Sequence, residues 1–172
     1  RRLGLDPDGG TVAELAEGAA AQNVPIPSGM PLNDPDPWLN LLLTHRIEPE
    51  LGQGRLTFVY DYPVSQAALA RLRPGDPPVG ERFELYLNGV ELANGFHELG
   101  DAIEQRRRFV AENAVRRAAG LPAMPVDEAL LAALAAGLPK CAGVALGFDR
   151  LVMLAAGKAS IQPTMAFAID RA

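Results

Sequence analysis

Two glutamates and an asparagine are set among apolar residues in "GVELANGFHELGD", residues 89–101. Glu91, Asn94 and Glu98 offer two carboxylates and an amide oxygen, a donor set suited to Mg²⁺ held together with nucleotide phosphates. A carboxylate at either position would equally pair with a substrate ammonium group. In a regular strand, residues seven apart fall on opposite faces, whereas on a helix 91, 94 and 98 would share one face. The flanking Val90, Leu92, Phe96 and Leu99 are core-like, and a turn just before Val90 favours a strand. Gly95 then allows a bulge or bend that brings Glu98 round to the side of Glu91. Spacing alone also leaves open the plainer reading, two exposed strand or loop residues.

A second stretch, "GVALGFDRLVML" (143–154), runs from a strand through a glycine turn into a helix. Helix starts carry free N–H groups and positive potential, which suit phosphate. Arg150 in the first turn could clamp a phosphate through two N–H groups, and Gly147 would let a nucleotide approach the backbone closely. Taken alone, a GxxxG beside an arginine reads as tight packing with an Asp–Arg surface pair. The stretch has neither the GK[ST] ending of a Walker loop nor a GxGxxG fingerprint. Together the two stretches offer carboxylates for a metal or an ammonium and an arginine for phosphate, which fits ATP-dependent activation of an amino-bearing substrate.

The elements that must position these groups can be read from the rest of the chain. Thr11 and Glu14 have capping-box spacing at the head of a helix, "TVAELAEGAAA". Five prolines in 23–37 make a loop, and "PWLNLLLTHRI" then reads as a short buried helix carrying Trp38, Leu41, Leu42 and His45 on one side. For the lone His45, packing or surface exposure is the plainer reading. "LTFVYDYP" is a strand ended by Pro63. "SQAALARLRP" is a short helix or turn and "PGDPP" a loop. Phe83, Leu85 and Leu87 alternate with Arg82, Glu84 and Tyr86 on a strand that turns back through Asn88-Gly89, both of which need positive φ. Asp101 caps a helix over 101–119, with Glu104 completing a capping box and Gly120 and Pro122 ending it. Asp127 caps a further helix to about Ala136. Antiparallel strands flanked by helices make an α+β domain.

The chain has 172 residues, 48 % of them hydrophobic and 22 % charged, enough for one domain with a core. The net charge of −5 argues against phosphate-mediated nucleic-acid binding. The basic run Arg106-Arg107-Arg108 reads as a solvated helix face. The single cysteine, Cys141, can form no internal disulfide and lacks the partners of a Cys-based zinc site; a reducing cytoplasm is expected. No apolar run approaches the roughly 20 residues of a membrane span.

"RFELYLNGVELANGFHELGDAIEQRRRF", "DEALLAALAAGLPKCAGVALGFDRLVML" and the final "AFAIDRA" resemble the end of the elongation factor P β-lysine ligases, truncated paralogues of class II lysyl-tRNA synthetases without an anticodon-binding domain. The likeness is dense over about 55–172 and loose over 1–54, which reads as a helical and loop insertion before a motif-bearing core. "GVALGFDR" is similar to class II motif 3. The resemblance implies the class II antiparallel sheet, and a reaction in which ATP and (R)-β-lysine give an adenylate whose acyl group passes to a lysine of elongation factor P. It implies Glu91 and Leu92 at the ATP, with Glu91 on Mg²⁺ and Glu98 a further candidate ligand. It places Glu98 at the substrate amine with Asn94 beside it, and Gly147 and the catalytic Arg150 at the ATP. It also implies a homodimer at full length and makes tRNA an unlikely partner.

Two departures matter. Lysyl-tRNA synthetases tend to carry glycine where Ala145 stands, so its methyl group is expected to reshape the amino-acid pocket toward a β-amino acid; α- and β-lysine efficiencies in Ala145→Gly would test this. Motifs 1 and 2 are not found. They are expected upstream of Arg1, so the chain reads as the C-terminal part of a catalytic domain, inactive in adenylate formation by itself. The remaining readings are a lysyl-tRNA synthetase fragment and an inactive synthetase-like binding module.

Overall fold

Thr11 and Glu14 close the head of α1 (Val12–Ala21) reciprocally: the Glu14 N–H donates to Thr11 Oγ1 at 3.3 Å and the Thr11 N–H to Glu14 Oε2 at 2.7 Å. The computed structural model describes residues 3–5 and 10–169, so the end of the "AFAIDRA" stretch lies outside the described residues. Pro37 sits in the first turn of α2 (Asp36–Leu42), where its missing N–H costs nothing. A π turn at Leu43–Ile47 and a 3₁₀ turn at Glu48–Glu50 follow. Leu15, Ala19, Val24, Trp38 and Leu42 pack into a small core between these helices, and the Trp38 indole N–H donates to the Pro31 carbonyl at 2.7 Å. His45 is exposed, one ring nitrogen 3.0 Å from the Leu41 carbonyl.

The sheet is antiparallel throughout: β1 (Thr57–Pro63), β3 (Val79–Leu87), β4 (Val90–His97) and β5 (Ala142–Leu146) lie in that order, with the short β2 (Leu72–Arg73) also on β3. Asn88 and Gly89 take φ of 52° and 73°, the left-handed pair that the tight β3–β4 turn requires. The N-terminal segment holds this turn: Asn88 and Gly89 donate N–H bonds to the Gly52 and Leu51 carbonyls, each at 2.8 Å. Gly52 has φ 70°, and a Cβ there would meet Leu87 Cα at 2.6 Å, so only glycine fits.

The alternation along β3 is as the sequence predicts, but the polar set is the more buried one. Glu84 is 7 % and Tyr86 2 % exposed, while Phe83 and Leu85 are only partly covered. Phe83 meets Phe58 edge to face at 5.6 Å, and Phe58 itself is exposed. Val144 and Leu146 on β5 and Phe148 beyond it are exposed as well.

Three helices complete the fold: α3 (Ala102–Ala118), α4 (Glu128–Ala136) and α5 (Phe148–Ala155). Asp101 Oδ1 caps α3 by accepting from the Ile103 and Glu104 N–H groups. The expected capping box is not completed, because the Glu104 carboxylate turns to Arg107 and Arg108. Two arginines outcompete one main-chain N–H for a carboxylate. Arg106 and Glu128 pair across α3 and α4. No helix among the described residues is long and apolar enough to cross a membrane.

Candidate functional site

One extra residue in β4 brings Glu91, Asn94 and Glu98 onto one face of the sheet. Leu85 opposes Ala93 and Tyr86 opposes Glu91, so Leu92 has no partner on β3. This bulge shifts the side-chain alternation by one, putting Glu91 on the face that carries Asn94 and, beyond it, Glu98. The bulge sits at Leu92 and not at Gly95, where the sequence suggests it. Gly95 has a different duty: a Cβ there would lie 2.7 Å from both the Gly143 carbonyl and the Phe83 ring, so its lack of a side chain lets β4 pack against them. Leu92 is buried, and its carbonyl accepts from the Gly147 N–H at 2.8 Å, joining the bulge to the start of α5.

The same face of β3 presents Arg82, Glu84 and Tyr86. Glu84 is fully engaged: Oε1 accepts from Arg82 Nη2 at 2.5 Å and Asn94 Nδ2 at 3.1 Å, and Oε2 accepts from the Tyr86 hydroxyl at 2.7 Å. Asn94 is thereby held by a buried carboxylate. Arg82 lies over the Tyr62 ring at 4.3 Å. Burial, with the Glu84 carboxylate adding to it, pushes the Tyr62 and Tyr86 hydroxyls well above the usual tyrosine range. Both stay neutral, and Tyr86 remains a donor.

Arg150 is exposed at the first turn of α5, and Gly147, its N-cap, supplies no side-chain acceptor for the helix N–H groups. Arg150 Nη1 donates to the Glu91 carbonyl at 2.8 Å and lies 3.6 Å from Glu91 Oε2. The two stretches singled out in the sequence thus meet. Ala145 is exposed and opposes Asn94 in register. Glu98 is half-buried, its N–H on the Cys141 carbonyl at 3.0 Å. Its Oε1 lies over Gly143, only 2.3 Å from where a Cβ would stand.

Glu91 and Glu98 do not share a cavity. Glu91 lines one of about 380 Å³ with Glu48, Arg82, Glu84 and Tyr86, whereas Glu98 lines another of about 340 Å³ with Gln105 and Cys141. Among the described residues, no group of three or more carboxylate, histidine or cysteine donors converges on a metal position.

Sequence reasoning assigned no role to Glu48, Arg82, Glu84 and Tyr86. The polar alternation at 82, 84 and 86 was the available signal, since a strand covered on both sides can bury its polar face against a ligand. Glu48 carried no such signal; its Oε1 lies 3.3 Å from the Tyr86 hydroxyl across a long sequence separation.

Comparison with known proteins agrees with this architecture. The family model described as tRNA synthetases class II (D, K and N) matches residues 40–171. A protein of Klebsiella pneumoniae subsp. pneumoniae named elongation factor P–(R)-β-lysine ligase is 52 % identical over all 172 residues of this chain and 53 % of its own length. A Salmonella dublin protein of the same name is 50 % identical over the same shares. The chain therefore spans about half the length of the curated relatives it matches. The chain belongs to the class II tRNA synthetases of the D, K and N group.

Proposed function

We propose that the protein carrying this chain uses ATP to activate β-lysine as an adenylate and transfers the acyl group to a lysine ε-amine of elongation factor P. The observation that carries this reading is identity of 50–52 % across the whole chain to proteins named for that ligation. The assignment of residues follows from their chemistry. Arg150 and the open start of α5 at Gly147 face the triphosphate, where a guanidinium and free helix N–H groups oppose its negative charge. Glu91 and the buried Leu92 form the strand edge against the nucleotide.

The donor set fits Mg²⁺ in a limited way. Glu91 is partly exposed beside the arginine, and a hard cation held by one or two carboxylates would complete its shell with phosphate oxygens. Such an ion, when bound, would supply positive charge against the phosphate oxygens. Glu98, in its own cavity over Gly143, is assigned to the substrate ammonium, and Asn94, held by Glu84, to the wall beside it. The separate cavities favour separate duties for the two glutamates.

ATP–pyrophosphate exchange by the full-length gene product tests the reading. Exchange that depends on β-lysine and Mg²⁺ is expected; exchange driven by neither β- nor α-lysine would overturn it.

A further inference from the structure

Helix α3 buries Gln105 in its first turns while Ile103 and Val110 stand exposed. Ile103 is 84 % and Val110 58 % exposed, yet Gln105 is 2 % exposed. The Gln105 main chain is fixed in the first turn by its N–H on the Asp101 carbonyl at 2.9 Å. Its Nε2 is buried with no hydrogen-bond partner among the described residues. A buried amide donor without an acceptor is destabilising, so an apolar side chain would suit a purely structural position better.

Gln105 lines the same cavity as Glu98, and the other walls are mostly apolar, among them Leu69, Leu99, Leu134 and Leu138. The Glu98 carboxylate likewise has no hydrogen-bond or ion-pair partner among the described residues, in contrast to the fully engaged Glu84. One cavity is therefore lined by a residue whose amide N–H lacks an acceptor and by a carboxylate that lacks a donor, with no bond between the two in this structure.

We infer that Gln105 is a positioning residue for Glu98: rotation of its side-chain amide turns an N–H toward one carboxylate oxygen, while the other oxygen takes the substrate ammonium. The inference rests on the amine role proposed for Glu98. Without this donor, the oxygen turned toward the apolar wall would carry charge with nothing to solvate it, and the carboxylate plane would be free to rotate. Gln105 touches neither the substrate nor the reacting atoms, so its effect belongs to binding of the amine.

The test uses the full-length gene product, with β-lysine as probe and pyrophosphate exchange as readout. Gln105→Met keeps the length and unbranched shape and removes the donor. The expected result is a KM for β-lysine raised about 10-fold, the loss of one hydrogen bond to a charged group, with the KM for ATP and the melting temperature little changed. In a Glu98→Gln background, with dissociation constants read by calorimetry where exchange is slow, the same substitution should add nothing further. Should the methionine variant fold poorly, Gln105→Leu removes the donor with a different apolar shape, and the same rise is expected. An unchanged KM for β-lysine, an equal effect in the Glu98→Gln background, or a parallel loss in ATP binding and thermal stability would overturn the inference. Wild-type protein that shows no lysine-dependent exchange would instead overturn the proposed function, and the inference with it.

Discussion

Arg150 Nη1 donates to the main-chain carbonyl of Glu91 at 2.8 Å and stands 3.6 Å from the Glu91 carboxylate. A residue on the last helix and one at a strand bulge are thereby fixed side by side. Glu91 holds the guanidinium partly neutralised until a stronger anion arrives, and a triphosphate is such an anion.

Replacing Arg150 should therefore affect nucleotide binding more than folding. The side chain is half exposed, and its pairing at the surface adds at most about 1 kcal/mol to stability. Arg150→Ala is expected to weaken ATP by about 10- to 100-fold, the loss of charge-assisted bonds, with the melting temperature within a few degrees of wild type. Titration with ATP and a thermal melt check both arms.

Gly143 makes room for Glu98. Gly143→Ala would place a methyl carbon 2.3 Å from Oε1, which must move. The expected outcome is a KM for the amine substrate raised about 10-fold, as for a displaced charged partner, with the KM for ATP unchanged. Steady-state exchange kinetics with each substrate varied in turn will show whether the effect divides in this way.

Glu84 contributes to stability as well as to the site. Glu84→Leu removes the acceptor for Arg82, Tyr86 and Asn94 together and leaves the half-buried Arg82 guanidinium without its carboxylate, holding only the Gln66 carbonyl. Breaking a buried ion pair from one side costs about 3–5 kcal/mol. Glu84→Gln keeps the shape and part of the bonding and should cost less. Urea unfolding of both variants gives the order.

Acid should weaken the α3 surface in a defined window. The Arg107 guanidinium, then that of Arg108, holds the Glu104 carboxyl below its ordinary 4.5, down to about 2. A depressed carboxylate contributes stability that is present above about pH 4.5 and is lost as the pH falls toward 2. The contribution is about 1 kcal/mol, since Arg107 is largely solvated. Unfolding free energies measured across this range should fall more steeply for wild type than for Glu104→Gln.

The parts of this architecture written in neighbouring residues were legible. The Thr11–Glu14 box, the Asn88-Gly89 turn, the Asp101 and Asp127 caps and the strand–glycine–helix run at 142–155 each depend on groups within a few residues of one another. The features that needed distant pairing were not. The bulge at Leu92 exists only in the register of β4 against β3, so the sequence pointed to the nearest glycine instead. The buried polar face of β3 follows from what covers it: Tyr62 on β1, Asn94 on β4 and Glu48 from the N-terminal segment. Glu48 shows the limit best, because the N-terminal segment, with Asn40, Leu43 and Thr44, brings a carboxylate to a cavity whose other walls come from β1, the segment after it, β3 and β4.

The proposed reaction transfers an activated β-amino acid to a protein lysine, and the mass of the acceptor reads that transfer out. The full-length gene product is incubated with ATP, Mg²⁺, β-lysine and elongation factor P, and the intact mass of elongation factor P is recorded. An increase equal to one β-lysyl group, dependent on ATP, is expected. An unmodified acceptor, while the adenylate still forms, would contradict it and direct the activated amino acid to another acceptor.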